Sequence, residues 1–215
     1  MSMTQPNGYL ATPPAGNGEP VLVLHAWWGL NDTIKAFCDR LAAEGFIVFA
    51  PDLYHGRVVD TIPDAQAAVN ALESSEQGFQ QAQASVGQAA MFLGSRAGDN
   101  GLAVIAFSMG VPYALEVASA VPDLVRKVVL FYGTADADFS TARAAYLGHY
   151  AADDPYEPRE YVDGLEAAIR AAGRPVTFHH YPSTGHWFFE PDRADAYNRA
   201  AADLAWERTL AFLCG

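Results

Sequence analysis

The stretch VIAFSMGVPYAL, Val104–Leu115, places a serine among small residues where a β-rich apolar run gives way to helix-forming residues. The pattern G-x-S-x-G on a strand–turn–helix lifts a serine hydroxyl above a sheet, beside the backbone N–H groups of a helix N-terminus. Such a serine can act as a nucleophile. Here Gly110 is the small residue beyond Ser108, while Ala106 stands where the pattern has its first glycine and adds one methyl group. In isolation Ser108 is equally a helix N-cap, a position serine favours. Nucleophilic use requires a base, an acid to orient the base, and donors for an oxyanion.

Each of those groups follows a strand-like run. His186, in YPSTGHWFF, lies between the last apolar strand and the last helical stretch, where it can reach back to Ser108 as general base. Asp153 and Asp154, in GHYAADDPYEP, are side-by-side candidates for the acid, and Asp154 precedes Pro155, which favours an extended backbone and a turn. Asp136 and Asp138, in YGTADADF, are the alternatives one strand earlier. The order Ser, Asp, His with each member after a strand is far more specific than any single motif. Backbone N–H groups of Met109 and of Trp27, in LHAWWGLND, are the expected oxyanion donors. Trp27, Trp28, Tyr54, Trp187 and Phe188 can wall a compact apolar pocket, with Arg57 or Arg143 to meet a polar group on a substrate. His25, His55, His149, His179 and His180 read as solvated, core or wall residues.

The elements that must carry these residues follow from periodicity. PVLVLHA, from Pro20, is a near-continuous apolar run, as expected of a strand buried on both faces of a parallel sheet. The following helix has Ile34, Phe37, Cys38 and Leu41 on one face, Asn31 or Asp32 to cap it and Gly45 to end it. FIVFAPDLY is a strand stopped by Pro51. A helical region runs from about Pro63 to Leu93 with a break near Ser74–Gly78. LAVIAFS, KVVLFYG, AAYLGHYA and RPVTFHHYP are further strands. A helix with Val162, Leu165 and Ile169 precedes the last of them, and a final helix spans about Arg193–Leu213 with Tyr197, Ala200, Ala201 and Leu204 inward. This alternation predicts an α/β class protein, a mostly parallel, doubly wound sheet with helices on both faces and functional groups at the carboxyl ends of its strands. One domain over residues 1–215 is expected, with 1–19 an irregular lead-in whose GYL is the remnant of an edge strand.

Composition narrows the function classes. The 215 residues are 51% hydrophobic and 18% charged, which is globular composition. A net charge of −12 argues against nucleic acid as a partner, because that affinity comes from Lys and Arg neutralising phosphates. No apolar run is long enough to span a membrane, and the start has neither the basic nor the apolar region of a signal peptide. A cytoplasmic location is expected. Cys38 and Cys214 have no spacing for a disulfide framework or a zinc site, so no metal and no organic cofactor is expected.

The segments LHAWWGLND, RLAAEGFIVFAPDLYHGR, AFSMG, HYAADDPYEP, TGHWFFEPDR and AADLAWERTLAFL together resemble the dienelactone hydrolase family of α/β-hydrolases, over about Pro20–Leu213. The resemblance implies an α/β-hydrolase fold with an eight-stranded core sheet and a nucleophile–Asp–His triad carried by Ser108, Asp154 and His186. It favours Asp154 over Asp153. The best-known members use a cysteine nucleophile, where Ser108 stands here, and a glutamate before the oxyanion residue, where Ala26 stands. They also hold a substrate carboxylate with arginines, one of them four residues beyond the histidine, where this chain has Glu190. No Lys or Arg lies between Arg57 and Arg96, the segment from which the other would come. A site without those cations should take a neutral small-molecule ester or lactone rather than an anionic one. The expected function is therefore a serine hydrolase of carboxylic ester or lactone bonds, acting through an acyl-enzyme. The alternative is a non-catalytic or regulatory small-molecule-binding protein on the same fold, monomeric or homodimeric.

Overall fold

The computed structural model describes residues 4–74, 76–98 and 100–215, which cluster into two compact units, Met1–Val104 and Ile105–Gly215. In the first unit, β1 (Gly8–Ala11) pairs antiparallel with β3 (Ile47–Pro51), and β3 pairs parallel with β2 (Pro20–Leu24). β1 is the edge strand anticipated from GYL. Every residue of β2 and β3 is buried, in keeping with their unbroken apolar sequences.

Helix α1 (Asp32–Ala43) starts where the Asn31 side chain accepts the Ile34 N–H at 3.0 Å, so Asn31 rather than Asp32 is its cap. Gly45, at φ +100°, turns the chain out beyond its C-terminus into β3. The helical region expected after β3 is two helices, α2 (Ile62–Glu73) and α3 (Glu76–Gly94), parted within the expected break. The Thr61 hydroxyl accepts the Asp64 N–H to cap α2, and Pro63 occupies the first turn, where a missing N–H costs nothing.

In the second unit β4 (Leu102–Phe107, crossing the boundary) leads into α4 (Val111–Ala120), which packs on β5 (Val125–Phe131). β5, β6 (Ala145–Ala151) and β7 (Val176–Tyr181) are parallel, with Phe131 opposite His149 and His149 opposite His179. Helix α5 (Arg159–Ala171) buries Val162, Leu165 and Ile169 as the periodicity requires. His149 is a core residue: its ring nitrogens bond the Tyr181 hydroxyl at 2.8 Å and the Thr209 hydroxyl at 3.0 Å, and burial holds its pKa well below the usual range.

Three expectations are corrected. Seven strands, not eight, occur among the described residues. No helix connects β5 to β6, because residues 132–144 form a loop, so the alternation of strand and helix lapses there. The final helix, α6, spans Arg199–Cys214 instead of starting near Arg193. Residues 187–198 are taken up by turns, including Tyr197 N–H to Arg193 O at 2.7 Å, and the Asn198 side chain caps the helix through the Ala201 N–H. Its buried face is Ala202, Ala205, Trp206, Thr209 and Leu213, while Leu204 is 40% exposed. Burying the indole of Trp206 outweighs burying one leucine, and that sets the rotation of the helix. Trp206→Ala should cost about 3–5 kcal/mol in urea unfolding, and Leu204→Ala no more than about 0.5 kcal/mol. Similar losses for the two variants would disprove this assignment of the face.

Candidate active site

Ser108 follows the last residue of β4 and begins a 3-10 turn, Ser108–Gly110, that runs on into α4. Its φ is +45°, a left-handed conformation that serine rarely adopts, and it marks the sharp strand-to-helix elbow. Ala106 is fully buried, so the elbow accommodates its methyl group. A further small residue is needed across from the elbow. A Cβ on Gly133, just beyond β5, would sit 2.7 Å from the Ser108 carbonyl oxygen and 2.7 Å from a Val111 methyl. In the sequence this requirement is marked only by the Tyr132-Gly133 step at the end of an apolar strand.

His186 lies in the loop after β7, and its Nε2 is 2.9 Å from Ser108 Oγ. Its Nδ1 is 2.7 Å from Asp154 Oδ2, and both side chains are only 3% exposed. Asp154 is at the start of the loop after β6. Its other oxygen, Oδ1, accepts the backbone N–H groups of Tyr156 at 2.9 Å and Glu157 at 3.1 Å. That Asx-type turn is what Asp before Pro155 favours. The neighbouring Asp153 is exposed, and its backbone N–H bonds the Thr184 carbonyl at 3.1 Å, stitching the acid loop to the histidine loop. Asp136 and Asp138 lie on the β5–β6 loop, where Asp138 accepts from Ser140.

Aromatic rings surround the histidine. Tyr132, Tyr156 and Trp187 have ring centroids 5.0, 5.1 and 4.8 Å from it, and Tyr156 also meets Trp187 at 5.0 Å. Tyr156 was missed from sequence; it is 40% exposed, an aromatic side chain presented by the loop that holds Asp154. Trp187 has a left-handed backbone, φ +64°. Phe188, expected on a pocket wall, is fully buried against Tyr132 and Tyr181 and belongs to the core. Glu190, aligned above with a substrate-facing arginine, is also fully buried and accepts the Tyr132 hydroxyl at 2.8 Å. Glu157 accepts the Thr134 hydroxyl at 2.6 Å, and burial raises its carboxyl to about 7.

The remaining expected site residues lie in the elbow turn, in the loop after β2, along a cavity of the first unit and on the surface. Met109 is the second residue of the elbow turn and is largely buried. Trp27 and Trp28 occupy a turn after β2, closed by Gly29 N–H to the Ala26 carbonyl, and Trp28 is buried. Beside it His25 uses both ring nitrogens, on the Ala26 carbonyl and the Leu53 N–H, and its burial lowers its pKa. Tyr54 and Arg57 line a cavity of about 200 Å³ in the first unit, together with Leu53, His55 and Leu72. Arg143 is exposed and paired with Asp123. Among the described residues no three His, Cys, Asp or Glu side chains come together as a metal ion would require. No helix of the described residues is long and apolar enough to cross a membrane.

A profile of the dienelactone hydrolase family matches residues 7–214. The chain belongs to the dienelactone hydrolase family. "Protein usf" of Aquifex pyrophilus is 30% identical over 213 residues, covering 95% of this chain and 91% of that protein. A protein of Aquifex aeolicus named "Putative carboxymethylenebutenolidase" is 29% identical over 216 residues, with the same coverage of each chain. The crystal structure named "Putative Dienelactone Hydrolase" from Klebsiella pneumoniae superposes with a TM-score of 0.82 at 25% identity, covering 96% of this chain and 92% of that one. The fold is therefore the α/β-hydrolase fold, mostly parallel, and family membership makes the protein a hydrolase of ester or lactone bonds.

The packing of Gly133 on the elbow can be checked directly. Gly133→Ala should lower stability by about 1–3 kcal/mol, because the added methyl meets backbone that cannot yield without shifting Ser108. The measure is a lower urea midpoint at unchanged slope. A midpoint equal to that of the unmodified protein would show that the elbow has room to spare.

Proposed function

We propose that the protein is a serine esterase or lactonase in which Ser108 is the nucleophile, His186 the general base and acid, and Asp154 the group that orients the histidine. The observation that carries this reading is the hydrogen-bonded line Ser108 Oγ–His186 Nε2, His186 Nδ1–Asp154 Oδ2, at 2.9 and 2.7 Å. The Ser108 hydroxyl attacks the substrate carbonyl carbon as its proton passes to His186 Nε2. The tetrahedral intermediate collapses as His186 returns that proton to the leaving oxygen, the acyl–oxygen bond breaks, and an ester on Ser108 remains. Water, deprotonated by the same nitrogen, then attacks the acyl-enzyme and frees the acid. The Met109 N–H, one residue beyond the nucleophile, serves the oxyanion; Trp27 N–H, from the loop after β2, is proposed as the second donor on sequence order. Asp154 is suited to its part because three hydrogen bonds hold its carboxyl group in one orientation.

The substrate we infer is neutral. The histidine is framed by Tyr132, Tyr156 and Trp187, and neither of the family's expected arginines has a counterpart in this chain. The exposed Tyr156 ring beside the histidine suits an apolar or aryl group on the ester.

A fluorophosphonate should add covalently to Ser108, read by peptide mass spectrometry, and Ser108→Ala should abolish both labelling and hydrolysis. Asp154→Asn should lower kcat on the order of 10³–10⁴-fold, while Asp153→Asn should leave it within about twofold. Equal losses in the two aspartate variants would reject the assignment of the acid. Side by side, a neutral aryl ester should exceed its carboxylated analogue in kcat/KM by at least about tenfold, since a carboxylate would be desolvated without a cation. Preference for the carboxylate would mean that another residue supplies the missing charge.

A further inference from the structure

Two buried carboxyl groups lie close to His186, and their surroundings differ. Asp154 accepts three hydrogen bonds, one from the imidazole and two from backbone N–H groups. Glu190 is fully buried, accepts one hydrogen bond, from the uncharged Tyr132 hydroxyl, and its Oε2 has no hydrogen-bond partner among the described residues. An ionised carboxylate has about four lone-pair sites to satisfy, so the Glu190 site suits a neutral acid and not an anion.

The position of that pair is as telling as its chemistry. Tyr132 directly follows β5 and has a left-handed backbone, φ +37°. Its N–H bonds the His149 carbonyl at 2.9 Å, and the next residue, Gly133, is pressed against the Ser108 carbonyl. Glu190 sits on the same loop as His186, in a turn whose N–H returns to the Trp187 carbonyl at 2.9 Å. The Tyr132 ring lies between the two, 5.0 Å from the His186 ring and 5.6 Å from Phe188. The hydroxyl–carboxyl bond therefore ties the histidine loop to the segment that abuts the nucleophile elbow.

We propose that Tyr132 and Glu190 are positioning residues for His186, a buried clamp that holds the imidazole in register with Ser108 while the Glu190 carboxyl keeps its proton. The proposal rests on the assignment of His186 as the base. The charged and titratable groups around Glu190 are Tyr132 at the end of β5, Asp192 and Arg193 on the following turn, and, reached through the Tyr132 ring, His186 and Asp154. Burial raises the Glu190 carboxyl from an ordinary 4.5 to about 8, Asp192 adds to the rise, and the Tyr132 bond and Arg193 oppose it. Arg193 is itself bonded to Asp192 at 2.9 Å. Between those two pH values the folded chain keeps a proton that the unfolded chain has lost. Stability therefore falls as pH rises through that window and levels off above it. Ionisation of Glu190 loosens the clamp, so turnover falls on the same alkaline side.

Glu190→Gln separates the two forms, because glutamine accepts from Tyr132 and never ionises. The melting temperature of Glu190→Gln relative to the native protein should rise steadily from about pH 5 to pH 8 and then stay constant. This comparison needs no substrate, so it remains decisive even if Ser108 labelling fails and the esterase reading falls. In kinetics with a neutral aryl ester at pH 7, Tyr132→Phe should lower kcat roughly tenfold with KM within about twofold, the signature of a misplaced base. Glu190→Gln, with Tyr132 intact, should retain near-native kcat, and above about pH 8 its kcat should hold while that of the native protein declines. A melting difference that does not change with pH would overturn the buried acid. Tyr132→Phe kinetics within twofold of native would overturn the clamp.

Discussion

A carboxylate withdrawn from water must be given donors, and the arrangement around Asp154 meets that demand. Two of its donors are backbone N–H groups from its own loop, so the loop after β6 can close in only a narrow range of shapes. Pro155 stiffens the step that follows Asp154, and the Asp153 N–H fastens this loop to the one carrying His186. The third donor is the histidine itself. Satisfying one buried carboxyl group therefore places the imidazole, and the imidazole in turn meets Ser108.

Around that line the protein holds several non-glycine residues in left-handed conformations. Ser108, Tyr132 and Trp187 have φ of +45°, +37° and +64°, and all three lie at or beside the hydrogen-bonded line. Such conformations cost on the order of 1–3 kcal/mol each and persist only where neighbouring packing leaves no alternative. Here that packing is aromatic, with Phe107 and Phe131 stacked on each other and each against Tyr132 and Phe189, and Phe188 edge-on to Tyr132. The rigid apolar bed and the strained elbow are two sides of one arrangement.

What could be read from the chain beforehand was whatever has a period or a cap. Continuous apolar runs identified β2 and β3, the Ile34–Phe37–Cys38–Leu41 stripe identified α1, and the Ser–Asp–His order identified the three residues that lie in line. The rotation of α6 is not legible because alanine-rich stretches such as Ala200–Ala202 give periodicity little contrast, although Asn198 marks its start as a cap. The helix-free β5–β6 link escaped because a loop carries no period. The burial of Glu190 is illegible for a different reason. Alignment to a family position assigned it a direction, toward substrate, whereas its burial depends on Tyr132, 58 residues away in the chain. Long-range partnerships of single polar groups leave no local trace.

The left-handed serine at the elbow has an evolutionary consequence. Glycine occupies φ near +45° without penalty, so a glycine at position 108 would relax the turn and leave a sturdier protein without the hydroxyl that meets His186. Drift toward stability thus leads away from chemistry at this position. Under the proposed role of Ser108, a serine at this position serves through its oxygen, against the preference of the backbone that bears it.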